Sequence, residues 1–283
     1  MDGILNLNKP FGITSRRAMD QVQRLLQVKK AGHGGTLDPI ATGVLLICLG
    51  RATKLFEALQ VGTKTYQATM MLGLTTDSFD TSGEILSTSD ASQITTDQIE
   101  QVLCRFTGQI EQTVPMFSAV KRQGIRLYKM ARKGIQLDDL PKRRVEISSL
   151  ELISVDLTPP FTDEHLAGAL CSQPFDMSQP RSEGASAHTS TLNATFRIIC
   201  TKGTYIRSLV SDIGKDLACG AALSGLTRTS SGVFHLQDAY TIEQIKQNPS
   251  IASDAIIPLE QARQVLDHYR GQLYSDKGPK ACW

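Results

Sequence analysis

Val44 to Leu49 is apolar at every position and rich in strand formers, which predicts a strand buried on both faces. Ile4-Leu5-Asn6-Leu7 reads as a short strand ending at the turn Lys9-Pro10-Phe11-Gly12. Thr14 or Ser15 then caps a helix whose Ala18, Val22, Leu25 and Leu26 share one face, with Arg16, Arg17 and Arg24 turned outward. Ala52 to Leu59 is predicted helical. Lys64 to Leu72 alternates imperfectly and predicts a strand carrying Lys64, Tyr66 and Ala68 on one face.

Thr96 to Phe106 repeats apolar residues at helical spacing (Ile99, Val102, Leu103, Phe106), with Gly108 as its stop. Met116 to Lys121 predicts a strand, joined by a tight turn at Gly124 to a short basic helix over Arg126 to Lys133. Arg144 to Asp156 and Leu192 to Cys200 predict two further strands. After the turn Lys202-Gly203-Thr204, a helix buries Ile206, Leu209, Val210, Ile213 and Leu217, which places Arg207 in its first turn. Val233 to Leu236 predicts a strand, and Thr241 with Gln244 a capping box. Strands and helices interleave without a regular βαβ rhythm, so the expected class is α+β.

Residues 158–190 break the pattern. Pro, Ser, Gly, Gln and Asp dominate there, which predicts a long, flexible surface loop inserted into a catalytic domain spanning 1–258. Residues 259–283 read as a short C-terminal extension.

Composition narrows the chemistry. Six cysteines are scattered without a Cys-x-x-Cys pair, and five histidines show no metal-ligand spacing, so neither a disulfide framework nor a metal site is expected. No apolar run approaches the roughly twenty residues of a membrane span, and the N-terminus lacks a signal-peptide layout, so a cytoplasmic protein is expected. The net charge of +2 does not announce a nucleic-acid partner. Its distribution says more: nine Lys and Arg side chains lie between Lys121 and Arg144, opposed only by Asp138 and Asp139. Such a run is either a solvated face or a phosphate-binding one.

The stretch Gly32-His33-Gly34-Gly35-Thr36-Leu37-Asp38-Pro39-Ile40-Ala41-Thr42-Gly43 sets one carboxylate among small residues just before the buried strand. Gly34 and Gly35 permit close approach of the backbone, and Pro39 keeps Asp38 out of the α region. A phosphate-cradling loop is excluded: no Gly-Lys-Ser/Thr ending follows, the dinucleotide glycine spacing is absent, and a strand stands where a helix belongs. Asp38 is then either a turn residue capping its own backbone or a reactive carboxylate.

These words resemble the signature of the bacterial tRNA pseudouridine-55 synthases, the TruB type. Lys64-Thr65-Tyr66 with Leu72 to Ser78, Lys202 to Arg207, Leu226 to Gly232 and the opening Gly3 to Pro10 are similar to that family's other motifs, in its order. The resemblance implies a pseudouridine synthase fold: a central mixed, largely antiparallel sheet flanked by helices, with the basic segment around Arg126, Lys129 and Arg132 closing over RNA. It implies Asp38 as the essential carboxylate, Arg207 as its ion-pair partner, and Tyr66 stacking on the target base. His33 and Lys64 would meet the RNA, and Tyr205 and Leu226 would line the pocket. A C-terminal RNA-binding module of the PUA type would be absent or vestigial.

The reaction implied detaches uracil from ribose at N1 and rejoins it at C5, with no net oxidation and no group gained, so no cofactor is expected. The expected partner is the T-arm stem-loop of tRNA, met by a monomer. Two other readings remain open: a guide-RNA-dependent rRNA synthase, and an inactive RNA-binding protein of the same fold.

Overall fold

The structure, a computed structural model, describes residues 1–135, 137, 139–158, 191–248 and 254–275. In chain order its elements are β1 (Gly3–Lys9), α1 (Ser15–Leu25), β2 (Ala31–Gly34), β3 (Ala41–Leu49), α2 (Phe56–Leu59), β4 (Lys64–Leu72), β5 (Leu74–Thr76), β6 (Ile85–Thr88), α3 (Thr96–Arg105) and β7 (Gly108–Thr113). There follow β8 (Lys121–Arg122), β9 (Ile125–Arg126), α4 (Leu127–Ala131), β10 (Lys142–Thr158), β11 (Thr191–Cys200), α5 (Ile206–Asp216), β12 (Ala221–Ser231), β13 (Phe234–His235), α6 (Ile242–Gln247), β14 (Ile256–Pro258) and α7 (Leu259–Ser275). This is the expected α+β fold with a mixed, mostly antiparallel sheet. Of the predicted loop 158–190, only Thr158 lies among the described residues, as the last residue of β10. No described helix is long and apolar enough to cross a membrane.

The chain divides into two compact units. The first comprises Met1–Gln67, Ile199–Lys202 and Leu226–Trp283. Its strands run in the order β14-β1-β3-β12-β4, with β2 on β3 and β13 on β12. β3 pairs antiparallel with β1 from Gly3↔Leu49 to Lys9↔Gly43, and parallel with β12 from Leu226↔Ala41 to Arg228↔Gly43. Flanked on both edges, Val44 to Leu49 is fully buried, as its unbroken apolar run requires. Each such Leu or Ile contributes about 1.5–3 kcal/mol by leaving water. Ile4, Val44, Leu46 and Cys48 share a core with Leu59, Phe234 and, from α7, Leu259, Ala262 and Leu266.

Thr14 caps α1, its side chain accepting from the Arg17 N–H at 3.1 Å. Ser15, Ala18, Met19 and Val22 are buried, while Leu25, expected inward, is 39% exposed. It is the helix's last residue, where the apolar stripe runs out.

The second unit comprises Ala68–Ile198 and Gly203–Gly225, with strands in the order β12-β4-β11-β10-β7. Thr95 and Gln98 form a capping box at the start of α3, which ends at Arg105. Gly108, read as the helix stop, instead opens β7 at φ +96°. The strand predicted over Met116 to Lys121 is also absent. Gln123 and Gly124 both take positive φ and close a two-residue hairpin of β8 and β9. The Ser118 and Val120 carbonyls accept from the Tyr128 and Leu127 N–H groups at 3.1 and 2.8 Å, so that backbone serves α4 rather than a strand partner.

Candidate active site

In the first unit the Asp38 loop is fastened on both flanks. The Ser15 hydroxyl donates to the Leu37 carbonyl and accepts from the Leu37 N–H, each at 2.8 Å. After Asp38, the Gly12 N–H donates to the Pro39 carbonyl at 2.9 Å, and the Ala41 N–H closes a turn onto the Asp38 carbonyl at 3.0 Å. Beneath lies Lys9, fully buried, whose Nζ donates to the carbonyls of Pro10 and Ile13 at 2.7 Å and of Pro39 at 3.5 Å. Burial lowers this ammonium to about 8, against the opposing pull of Asp38. Asp38 itself is half-buried, and its carboxylate is presented by a loop bonded on both flanks.

Tyr66, the third residue of β4, lies within the electrostatic reach of Asp38. Burial pushes its phenol upward, Asp38 adds to that, and the Arg228 guanidinium beside it pulls the other way. Arg228 is 2% exposed on β12; its Nε donates to the Val44 carbonyl at 2.7 Å and its Nη2 to the Gly35 carbonyl at 3.3 Å. Leu226, two residues earlier and therefore on the same face, is also buried. His33 sits on β2 opposite Ile47; burial, then Arg16 and Arg228, hold its imidazole below the usual range and favour the neutral ring. Lys64 is buried at the start of β4, with Nζ donating to the Gln60 and Gly62 carbonyls at 3.0 Å each. Burial first, then the charge of Arg228, lower it to about 8.

Where β3 and β12 run side by side, Gly43 has φ +95°, and a Cβ there would collide with the Arg228 carbonyl oxygen. Gly43→Ala should therefore cost about 2 kcal/mol or more, from left-handed backbone strain plus displacement of β12. Urea unfolding measures it, and a loss below about 0.5 kcal/mol would show that β12 moves aside freely.

In the second unit Arg207, second residue of α5, is 4% exposed rather than a surface cation. Its Nη1 donates to the Ser78 carbonyl at 2.9 Å, its Nη2 to the Phe117 carbonyl at 2.8 Å, and its Nε lies 3.7 Å from Asp80 Oδ2. The other oxygen of Asp80 accepts from the Ser78 and Ser82 hydroxyls and the Ser82 N–H. Tyr205, the residue before α5, is clamped by buried Gln112, which accepts from its N–H at 3.0 Å and donates to its carbonyl at 3.3 Å.

The basic segment of this unit is the β8–β9 hairpin and α4. Buried Leu127 anchors it, and an open groove of about 650 Å³ is lined by Lys121, Arg126, Tyr128, Lys129 and Lys133. Arg132 lies outside that groove, over the Tyr128 ring at 5.6 Å. If the hairpin holds a nucleic-acid backbone, neutralising Arg126, Lys129 and Arg132 should weaken binding and flatten its salt dependence by about 0.9 in slope for each phosphate that is no longer neutralised. An unchanged slope would make it an ordinary solvated face.

Residues 23–172 match the model of the TruB family pseudouridylate synthase N-terminal domain, and residues 207–264 that of the tRNA pseudouridylate synthase B C-terminal domain. A tRNA pseudouridine synthase B from Geobacillus thermodenitrificans is 42% identical over 272 residues, covering 95% of this chain and 80% of that protein. The chain belongs to the TruB family of pseudouridine synthases. The tRNA pseudouridine synthase B of Syntrophotalea carbinolica is 38% identical over 87% of this TruB-family chain and 69% of its own.

Among solved structures, the Cbf5-Nop10-Gar1 complex contains a chain matched at TM-score 0.60 and 29% identity, over 92% of this chain and 61% of that one. The H/ACA RNP bound to a substrate RNA containing 2′-deoxyuridine contains another, at 0.58 and 26%, over 92% and 60%. This synthase thus spans about 60% of the length of those chains.

Asp38, Tyr66, His33, Lys64 and Leu226 fall in the first unit of the TruB-family chain; Arg207, Tyr205, Arg126, Lys129 and Arg132 fall in the second. Arg228, Lys9 and Asp80 were not among the residues expected to act, although Arg228 and Lys9 stand inside the motifs Leu226 to Gly232 and Gly3 to Pro10. The spacing of Arg228 two residues after Leu226 was the available signal, since it puts a cation on the buried face of a strand. Among the described residues no group of three His, Cys, Asp or Glu side chains could hold a metal ion. None of the described cysteines forms a disulfide: Cys48, Cys200 and Cys219 are buried and Cys104 is exposed, while Cys171 and Cys282 lie outside the described residues.

Proposed function

We propose that this synthase converts the uridine at position 55 of tRNA to pseudouridine, working as a monomer on the T-arm stem-loop. The observation that carries the reading is the Asp38 loop, which holds a half-buried carboxylate rigid within the electrostatic reach of Tyr66. A pure RNA binder gains nothing from that arrangement. In the first half of the reaction the bond between ribose C1′ and uracil N1 breaks. The freed uracil then turns, C5 bonds to C1′, the C5 proton leaves and N1 takes up a proton.

Asp38 supplies the carboxylate for the first step, steadied by a guanidinium, the role proposed for Arg207. Tyr66 stacks on the base and helps remove the C5 proton, while Leu226 and Tyr205 line the pocket. A uridine in a folded loop has to leave its stack to reach Asp38, and His33 faces the opened loop while Arg126, Lys129 and Arg132 take phosphates. Lys64, whose ammonium is held by two backbone carbonyls, contributes to RNA binding through its charge.

The relatives favour tRNA over a guide-dependent rRNA target, since the named tRNA synthases are about 40% identical and the chains of the Cbf5-Nop10-Gar1 and H/ACA RNP structures 26–29%. The test is to incubate the protein with a tRNA transcript and map pseudouridine by position. Modification confined to position 55 supports the reading. Modification elsewhere, or only when a guide RNA is added, overturns the tRNA specificity, and none under any condition leaves an RNA-binding protein.

A further inference from the structure

Arg228 is out of place for a strand residue. Its guanidinium is withdrawn from water at 2% exposure, and none of the ion pairs among the described residues includes it. A buried charge without a counter-charge is expensive, and folded proteins pair such groups or employ them. Five N–H groups are available to an arginine, and the bonds to Val44 and Gly35 account for two of them, both on neutral carbonyls. Even its access to the loop is built in: Nη1 lies 3.4 Å from where a Cβ on Gly35 would stand, at a φ of +84° that favours glycine. One cation thus ties together the loop before Asp38, the strand after it and the neighbourhood of Tyr66, and its charge also reaches His33 and Lys64.

We infer that Arg228 is a positioning residue for the isomerisation: it braces the Asp38 loop and Tyr66 from beneath, and its unneutralised charge favours the uracil while that base is an anion. The inference rests on the proposed reaction. When the C1′–N1 bond breaks, the electron pair stays on N1, so the uracil carries negative charge. Bonding of C5 to C1′ discharges it, and transfer of the C5 proton to a base with uptake of a proton at N1 completes the product with no net change of charge. A fixed cation beside the pocket stabilises that stage without reorganising, which is how preorganised charges act in other enzymes. Buried as it is, Arg228 does this through the field and through Tyr66, without touching phosphates.

The experiment compares Arg228→Lys and Arg228→Met with wild type on a tRNA transcript, reading kcat and KM separately. Arg228→Met should lower kcat about 10²-fold, the scale of one lost preorganised donor, and leave KM within about threefold. Arg228→Lys keeps the charge but not the fork, and should lose about tenfold. A second reading isolates Tyr66: the ultraviolet phenol titration of each variant minus the same variant carrying Tyr66→Phe. Loss of the Arg228 charge should move the Tyr66 transition to higher pH, which a purely structural role would not do.

Wild-type kcat in both variants, or an unmoved Tyr66 transition in Arg228→Met, overturns the inference. A KM rise with kcat unchanged overturns it in favour of RNA binding. Should Arg228→Met not fold, Arg228→Lys decides, and a loss under twofold overturns. If wild type leaves tRNA unmodified, the proposed function falls and this inference with it. Wild-type turnover with indifferent variants removes this inference alone.

Discussion

Asp38→Asn is expected to lower tRNA turnover by at least about a thousandfold while tRNA binding stays within about twofold. The substitution is nearly isosteric, and it leaves in place the bonds that the backbone of Asp38 and Pro39 and the Ser15 hydroxyl make in this loop. What disappears is the anionic oxygen, and removal of an essential acid, base or nucleophile costs on the order of 10²–10⁴ or more in rate. Single-turnover assays with saturating enzyme, alongside filter binding, separate the two quantities. Pseudouridine formation at the wild-type rate would sink the proposed chemistry, and a large loss of binding would reassign Asp38 to RNA binding.

The second large effect falls on stability. Asp80→Ala takes the Asp80 carboxylate away from the buried Arg207 guanidinium in the second unit and strands the Ser78 and Ser82 hydroxyls that converge on it. Removing one member of a buried, hydrogen-bonded ion pair costs up to about 3–5 kcal/mol. The figure applies here because both side chains are less than a tenth exposed, at 5% and 7%. Urea unfolding should show the midpoint falling with the slope unchanged. Arg207→Met in the same background should recover part of the loss, since the buried cation is then gone as well. A cost under 1 kcal/mol would mean that other partners, the carbonyls of Ser78 and Phe117 among them, satisfy the guanidinium without Asp80.

Elements set by local pattern were legible from the chain alone. Val44 to Leu49 could only be a strand covered on both sides, the capping box of Thr241 and Gln244 is closed within one helical turn, and the Gly-Gly-Thr-Leu-Asp-Pro run confined Asp38 to a stiff loop. Misreadings occurred where a distant interaction outweighed the local preference. Met116 to Lys121 has strand-like composition, but its carbonyls are taken by the start of α4 and the hairpin closes at Gln123-Gly124. Gly108 follows a helix and looked like its stop, yet its backbone opens the edge strand that pairs with β10.

The sequence by itself determined the alternation of elements, the loop that carries Asp38 and, through its ordered motifs, the reaction class. These depend on the spacing of residues close together in the chain, where sterics and hydrogen bonding act within a turn or two. Only the tertiary structure decided which polar side chains are buried, because burial depends on what arrives from elsewhere. Arg228 is enclosed because β12 lies parallel to β3, some 185 residues earlier, with its side chain reaching under Gly35. Arg207 is enclosed because the turn bearing Asp80 and the loop at Phe117 fold onto α5. Lys9 and Lys64 are held by carbonyls rather than by acids. A charged residue reads the same in sequence whether solvent or protein surrounds it, and only the fold sets which of these cations acts in the chemistry and which holds the backbone.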